Sequence, residues 1–219
     1  MARAMKAYKG LGMEGAVARW HDRITRKDMA EFAALAERIA TLVPSSATVL
    51  EVAPGPGFLA IELAKRGFDV TGVDISRTFV EIAQRNAAAA GVMPRFELGD
   101  AAALPIADAS VDFVICRAAF KNFSRPVPAL AEMRRVLRKG GTALLIDMRR
   151  DVSMTAIKRY TDGLSLGWLN RWLMILTFRT VLIRRAYALD QIRRMASEAE
   201  WAEPQIAIMP LGFEASMNK

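Results

Sequence analysis

The 219-residue sequence predicts an α/β fold in which helices cover both faces of a mostly parallel β-sheet. Short apolar segments typical of buried strands alternate with longer segments of helical periodicity across residues 48–147. Hydrophobic residues make up 53% of the chain, which is enough for the core of one domain of this length. Because successive parallel strands require right-handed crossovers, we expect a doubly wound sheet.

Five strands and three helices are predicted in this alternating region. The strands cover residues 48–52, 69–73, 95–98, 111–116 and 142–146, and the helices cover 58–66, 77–90 and 126–137. Ser76 is suited to cap the second helix, and Gly67 and Gly91 are suited to end the first two. Pro126 can open the third helix because proline is tolerated in a first turn. Residues 139–141, Lys-Gly-Gly, are predicted to form the turn before the fifth strand.

The flanking segments extend the same domain. Residues 1–44 are predicted to form an N-terminal arm, glycine-rich and only partly ordered up to residue 25, and then a helix that Thr25 or Asp28 could cap. After the central alternating core at 45–150, residues 151–188 are predicted to form a helical lid. A final helix and two closing strands, at 205–209 and 213–217, follow within 189–219. Such closely spaced strands suit an antiparallel edge, which gives seven strands in a single domain.

The composition argues against several classes of site. Cys116 is the only cysteine and His21 the only histidine, which disfavours a disulfide, a metal site rich in these residues and a Ser-His-Asp triad. The first residues lack the apolar core of a signal peptide, so we expect a cytoplasmic protein.

Positive charge is concentrated late in the chain. The net charge is +8, and residues 149–194 contain ten basic but only three acidic side chains. The basic surplus fits a solvated helical surface, an anionic membrane surface, an acidic substrate or nucleic acid. The apolar run at 164–183 is interrupted by Arg171 and Arg179, so a membrane-spanning helix is not expected. A lid packed on the sheet is predicted instead, with a helix lying on a membrane surface as the alternative.

Aromatic residues are spaced along the predicted lid at roughly helical intervals. Trp168, Trp172, Met174 and Phe178 form this stripe. Its default interpretation is core packing, and its functional interpretation is a wall of an apolar substrate pocket.

The most informative motif follows the first strand. Residues 49–60 read Val-Leu-Glu-Val-Ala-Pro-Gly-Pro-Gly-Phe-Leu-Ala, an apolar strand, a glycine turn and the start of a helix. Gly55 and Gly57 allow the backbone to approach a ligand closely at a helix N-terminus. The spacing alone fits both a nicotinamide dinucleotide fold and a methyl-donor site.

Three further features follow in order. An acidic residue, Asp74, ends the second strand, and Gly99-Asp100-Ala101 follows the third. Residues 135–141, Arg-Val-Leu-Arg-Lys-Gly-Gly, precede the fifth strand. The ordered set resembles the class I S-adenosylmethionine-dependent methyltransferases over about residues 45–219, which implies a Rossmann-like sheet and that cofactor. A nicotinamide-dependent oxidoreductase would account only for the first two of the four features.

The resemblance implies which residues hold the methionine part of S-adenosylmethionine. Ala53, Gly55 and Gly57 would face it, and Glu51 would support this loop or bind the methionine ammonium. The family often has glycine where this chain has Ala53, and prolines occupy positions 54 and 56.

The remaining cofactor residues are implied in the same way. Asp74 would bind the ribose, and Ile75 is assigned to the cofactor beside it. Asp100 would bind the adenine amino group with Ala101 beside the ring, and Arg117 would lie near the methyl group.

A narrower resemblance follows the fourth strand. Residues 119–123, Ala-Phe-Lys-Asn-Phe, and the helix that starts at Pro126 are similar to the ubiquinone and menaquinone biosynthesis C-methyltransferases. Those enzymes have an aromatic-x-x-Arg-Asn stretch, in which Lys121 replaces the arginine here.

Four residues are candidates for a catalytic role. Lys121 and Asn122 lie where a substrate pocket opens, although a polar loop pair is the alternative. Asp147 could be a base or a surface carboxylate, and His21 could be a general base or a packed side chain.

The favoured function is methyl transfer from S-adenosylmethionine to a small apolar or aromatic acceptor such as a quinol, a phenol or a lipid-like metabolite. A nucleic-acid methyltransferase is less favoured, because residues 116–120 lack the Asn/Asp-Pro-Pro-aromatic motif of many such enzymes. A nicotinamide-dependent oxidoreductase and a non-catalytic cofactor-binding protein remain alternatives. The acceptor atom and the oligomeric state cannot be read from the sequence.

Overall fold

Seven strands form a single sheet in the part of the chain that the computed structural model describes, residues 8–9, 12–162, 167–177 and 183–219. They are β1 Thr48–Val52, β2 Asp69–Asp74, β3 Arg95–Leu98, β4 Val111–Arg117, β5 Leu137–Met148, β6 Gln205–Ile208 and β7 Gly212–Asn218. Their order is β3-β2-β1-β4-β5-β7-β6, and β1 to β5 all run parallel. Strand β7 runs antiparallel to both β5 and β6. The predicted doubly wound sheet with an antiparallel edge is confirmed, and a β6–β7 hairpin forms that edge.

Helices cover both faces of the sheet. They are α1 Gly15–Thr25, α2 Met29–Ala40, α3 Phe58–Ala64, α4 Arg77–Ala89, α5 Pro126–Val136, α6 Met154–Asp162, α7 Trp168–Thr177, α8 Ile183–Arg185 and α9 Leu189–Glu198. One core cluster joins α2, α3 and part of α4 to strand residues such as Val49, and the other joins α5 and α9 to residues such as Leu50. Neighbouring residues of one strand thus serve opposite cores, which explains why the parallel strands read as continuous apolar runs.

The predicted helix signals are present in the structure. The hydroxyl of Ser76 accepts a hydrogen bond from the backbone N–H of Phe79 at 3.1 Å, which caps α4. Gly67 and Gly91 have φ angles of +90° and +70° just beyond α3 and α4. Pro126 occupies the first turn of α5 as predicted.

Two elements differ from their predictions. Residues 15–25 of the arm form helix α1, whose buried Ala18 packs against Phe79 and Ile82 of α4. The glycines and charged residues of this segment leave little helical periodicity of apolar residues in the sequence. The contact between α1 and α4 stabilises the helix, and that contact exists only in the folded molecule. Strand β5 begins at Leu137, before the turn predicted at 139–141, because Gly140 donates its N–H to the carbonyl of Lys219 at 2.9 Å.

Both tryptophans of the aromatic stripe in the lid segment are exposed, whereas Met174 is half-buried. Trp168 on α7 is 82% exposed and Trp172 is 57% exposed, so core packing was the wrong interpretation for both. Neither contributes to the cavity described below, so they do not form its wall either. Phe178 lies outside the described residues.

Candidate functional site

The carboxyl ends of β1, β2, β3 and β4 open into one cavity of about 470 Å³. Parallel strands bring their ends to the same edge, so residues far apart in sequence meet there. The cavity is lined by ten of the predicted site residues, Glu51, Ala53, Gly55, Asp74, Ile75, Asp100, Ala101, Arg117, Asn122 and His21. Gly57, Lys121 and Asp147 are not among its lining residues.

The glycine turn after β1 has an unusual backbone. Ala53, Gly55 and Gly57 have φ angles of +58°, +55° and +80°. A side chain at Gly57 would come within 2.8 Å of the side chains of Ala83 and Phe96. Gly57 therefore lets α3 pack closely, while Ala53 and Gly55 face the cavity.

Asp74 organises the turn at the end of β2. Its carboxylate accepts hydrogen bonds from the backbone N–H of Gly55 at 3.0 Å and of Ser76 at 2.8 Å. Burial raises the pKa of Asp74 to about 6, although these hydrogen bonds act to lower it. A carboxylate has about four acceptor positions, so the side chain can also accept a hydrogen bond from a ligand.

Glu51 is the most perturbed acid of the cavity. Burial raises its pKa to about 8, against a hydrogen bond from the backbone of Ala60 and the charge of Arg117, which lower it. Its Oε2 is buried and has no hydrogen-bond partner among the described residues. A buried polar atom of this kind at a cavity wall is suited to a ligand that brings its own donor.

Asp100 is held by a partner that the sequence did not reveal. Its carboxylate accepts a hydrogen bond from the backbone N–H of Ala102 at 2.9 Å and pairs with the guanidinium of Arg125 at 2.7 Å. The pair fixes the orientation of Asp100 at the mouth of β3, beside Ala101.

Arg117 connects the end of β4 to helix α2. Its guanidinium lies 3.2 Å from the carboxylate of Glu31 and 4.5 Å from the ring centre of Phe32, a cation–π geometry. Phe32 also lines the cavity.

The N-terminal arm covers the cavity, a role that the sequence analysis missed. The carboxylate of Glu14 accepts hydrogen bonds from the backbone N–H groups of Arg77 and Thr78 at 3.0 and 3.1 Å, at the start of α4. The backbone N–H of Lys9 bonds to the carbonyl of Asn122 at 2.7 Å. The sequence does place the acidic Glu14 just before α1. It does not show that Glu14 binds the start of a different helix, α4, at Arg77, which lies 63 residues away.

His21 enters the cavity from α1. Its Nδ1 lies 3.2 Å from the hydroxyl of Thr25, and its ring packs edge-on against Phe79 with centres 5.6 Å apart. Burial lowers the pKa of His21 below its ordinary value, although the charge of Asp22 acts against this shift. The imidazole is therefore neutral at neutral pH and can accept a proton.

Lys121 and Asp147 form a buried ion pair behind the cavity. The ammonium of Lys121 and its backbone N–H both lie 2.8 Å from the carboxylate of Asp147. The ammonium also bonds to the carbonyl of Ala118, a residue with a φ of +58° that lines the cavity. The pair thus holds the loop that presents Ala118 and Asn122, and a catalytic role for Lys121 or Asp147 stays a prediction.

Comparisons with known proteins agree with this geometry. Residues 50–145 match the family described as "Methyltransferase domain". This part of the chain is therefore similar to methyltransferase domains. This match confirms the resemblance inferred from the loop motifs and agrees with S-adenosylmethionine as the predicted cofactor.

Named relatives carry the same domain. A demethylmenaquinone methyltransferase of Deinococcus radiodurans is 42% identical over 108 residues, which are 48% of this chain and 45% of that protein. One from Thermus thermophilus is 39% identical over 101 residues, 45% of this chain and 46% of that protein. The matched region spans about half the length of these relatives.

The fold extends beyond the matched region. A solved structure of a candidate S-adenosylmethionine-dependent methyltransferase from Methanococcus maripaludis superposes with a TM-score of 0.73 at 21% identity. The superposition covers 96% of this chain and 95% of that one, so the arm, sheet and hairpin belong to one architecture. In the described part of the chain, no helix is long and apolar enough to cross a membrane.

Proposed function

We propose that this chain transfers a methyl group from S-adenosylmethionine to a small apolar acceptor of the quinol or phenol type. The observation that carries the proposal is the cavity at the ends of four parallel strands, which Glu51, Asp74 and Asp100 all line. The acceptor class is supported by the demethylmenaquinone methyltransferases among the relatives and by the loop at residues 119–123.

The residues present fit the cofactor. The methionine ammonium would supply the donor that the buried Oε2 of Glu51 lacks among the described residues. Asp74 would accept hydrogen bonds from the ribose hydroxyls while it keeps its bonds to Gly55 and Ser76. Asp100, held by Arg125, would accept a hydrogen bond from the adenine amino group.

The chain's own contribution to catalysis would be to position and desolvate the reactants. When bound, S-adenosylmethionine supplies an electrophilic methyl group for direct displacement by an acceptor atom. The arm residues that line the cavity would exclude water from it, while Asn122 and Phe32, which also line it, would contact an acceptor. The neutral imidazole of His21 would take the proton of an acceptor hydroxyl through Nε2, in the tautomer whose Nδ1–H donates to the hydroxyl of Thr25.

Isothermal titration with S-adenosylmethionine and S-adenosylhomocysteine tests the cofactor. We expect both to bind, and Asp74→Ala to weaken binding by about tenfold to a hundredfold, the cost of lost hydrogen bonds to a charged group. Asp69→Asn is the matched control, since Asp69 is exposed at the opposite end of the same strand. Failure of both ligands to bind the wild type would disprove the proposal, and binding of a nicotinamide dinucleotide would restore the oxidoreductase alternative.

A further inference from the structure

The lid segment exposes aromatic and basic side chains together. We define the α6–α8 surface by its exposed side chains, Met154, Lys158, Arg159, Trp168, Trp172 and Arg184. Trp168 and Trp172 are four residues apart on α7, so they project from one face of that helix. Helix α6 packs against α7, which brings the two parts of the surface together.

We propose that the α6–α8 surface binds the headgroup region of an anionic phospholipid bilayer. Two exposed tryptophans on one helix face are an uncommon feature of a soluble surface, whereas tryptophan is enriched where hydrocarbon meets water. Lysine and arginine beside them are attracted to anionic headgroups. The surface therefore offers both the apolar burial and the electrostatic attraction that hold a helix in the plane of a membrane interface.

Charge complementarity favours an anionic lipid surface over a second copy of this chain. Residues 149–194 contain ten basic and three acidic side chains, so two copies would repel each other through this segment. Lys158, Arg159 and Arg184 are all exposed, so their charges are accessible to an anionic surface.

The α6–α8 surface is connected to the cavity. Tyr187, just after α8, packs against Phe120 with ring centres 5.6 Å apart, and its hydroxyl accepts a hydrogen bond from Lys9. Tyr8, the neighbour of Lys9, lines the cavity. Binding at this surface would therefore bring the cover of the cavity close to the bilayer, where an apolar acceptor dissolves. The proposal itself depends on neither the acceptor nor methyl transfer.

Vesicle flotation of the full chain tests the proposal. The probes are vesicles of phosphatidylcholine alone and of phosphatidylcholine with about a quarter phosphatidylglycerol. We expect binding only to the anionic vesicles, weakened by added salt. Tryptophan emission should shift to shorter wavelength on binding, as Trp168 and Trp172 leave water.

Two double variants assign the binding to this surface. Lys158→Gln with Arg159→Gln should weaken binding by about twenty-fivefold, at about fivefold per basic residue. Trp168→Ser with Trp172→Ser should weaken binding and abolish the emission shift. Matched controls are Trp20→Ser, another exposed tryptophan, and Arg85→Gln with Lys139→Gln, which should bind like the wild type.

Three results would overturn the proposal. They are a wild type that binds neither vesicle, double variants that bind anionic vesicles as the wild type does, and self-association that the tryptophan variant abolishes. The last result would assign the surface to a second copy of the chain. Titration of each variant with S-adenosylmethionine separates loss of the surface from misfolding, and it keeps a failure here distinct from a failure of the proposed cofactor.

Discussion

At the scale of the residue, the cavity contains alanines in a backbone conformation that favours glycine. Ala53 and Ala118 both line it, each with a φ of +58°. A left-handed conformation costs about 1–2 kcal/mol for a residue with a Cβ. The structure therefore stores strain at two points of the ligand-facing wall, where a defined loop shape is needed.

Ala53→Gly should relieve this strain. We expect the free energy of unfolding to rise by about 1 kcal/mol, because glycine adopts this conformation readily. The relief of backbone strain exceeds the entropic cost of fixing the more flexible glycine on folding. Urea denaturation measures the change. The matched control, Ala60→Gly, lies in helix α3 with an ordinary helical backbone and should lose about 1 kcal/mol. Destabilisation by both substitutions would contradict the strain argument.

At the scale of the element, a buried ion pair joins the loop after β4 to β5. Lys121 is 6% exposed and lies in a 3-10 turn, Phe120–Asn122, while Asp147 is 6% exposed at the end of β5. The pair fixes the turn relative to the strand, and with it the positions of Ala118 and Asn122.

Removing one partner of this pair should be costly. We expect Lys121→Met or Asp147→Leu to destabilise the protein by about 3–5 kcal/mol, because each leaves a buried charge without its partner. The double variant should lose less than either single variant, since it leaves neither charge behind. A double-mutant cycle by urea denaturation measures this coupling, and additive losses would contradict it.

The same scale shows which elements could be predicted. Strand β1 has the predicted bounds, because a five-residue, mostly apolar segment between turn residues is too short for a typical helix and fits a buried strand. Helix α1 was missed because its stripe buries only Ala18 and depends on α4, which lies more than fifty residues further along the chain. Strand β5 begins before its predicted start because Gly140 donates a hydrogen bond to the carbonyl of Lys219, a partner far along the chain.

At the scale of the whole molecule, the sequence predicted where the site lies but not how its side chains are held. Parallel topology brings the strand ends together, so Glu51, Asp74 and Asp100 could be placed from the order of the strands. The partners Arg125 of Asp100 and Glu31 of Arg117 are 25 and 86 residues distant. Many charged residues could have filled those roles, and only the packed structure selects among them.

The cavity also affects the stability of the molecule as a whole, because it buries two acids. Burial raises the pKa of Glu51 from 4.5 to about 8 and that of Asp74 from 3.8 to about 6. In the unfolded chain each acid releases its proton near its ordinary pKa. At a pH between the ordinary pKa and the raised pKa of either acid, the folded state therefore binds more protons than the unfolded state. The contribution of both groups to stability therefore falls as the pH rises through this window.

Glu51→Gln should remove the larger part of this pH dependence. The variant keeps the shape of the side chain but cannot ionise, so its stability relative to the wild type should increase between pH 4.5 and about 8. The difference should reach the order of a few kcal/mol at the upper end. Urea denaturation at several pH values in this range measures it, with Glu81→Gln on the exposed face of α4 as the control. Parallel stability curves for the wild type and Glu51→Gln would mean that Glu51 is already ionised in the folded protein, and that the cavity solvates its charge without a ligand.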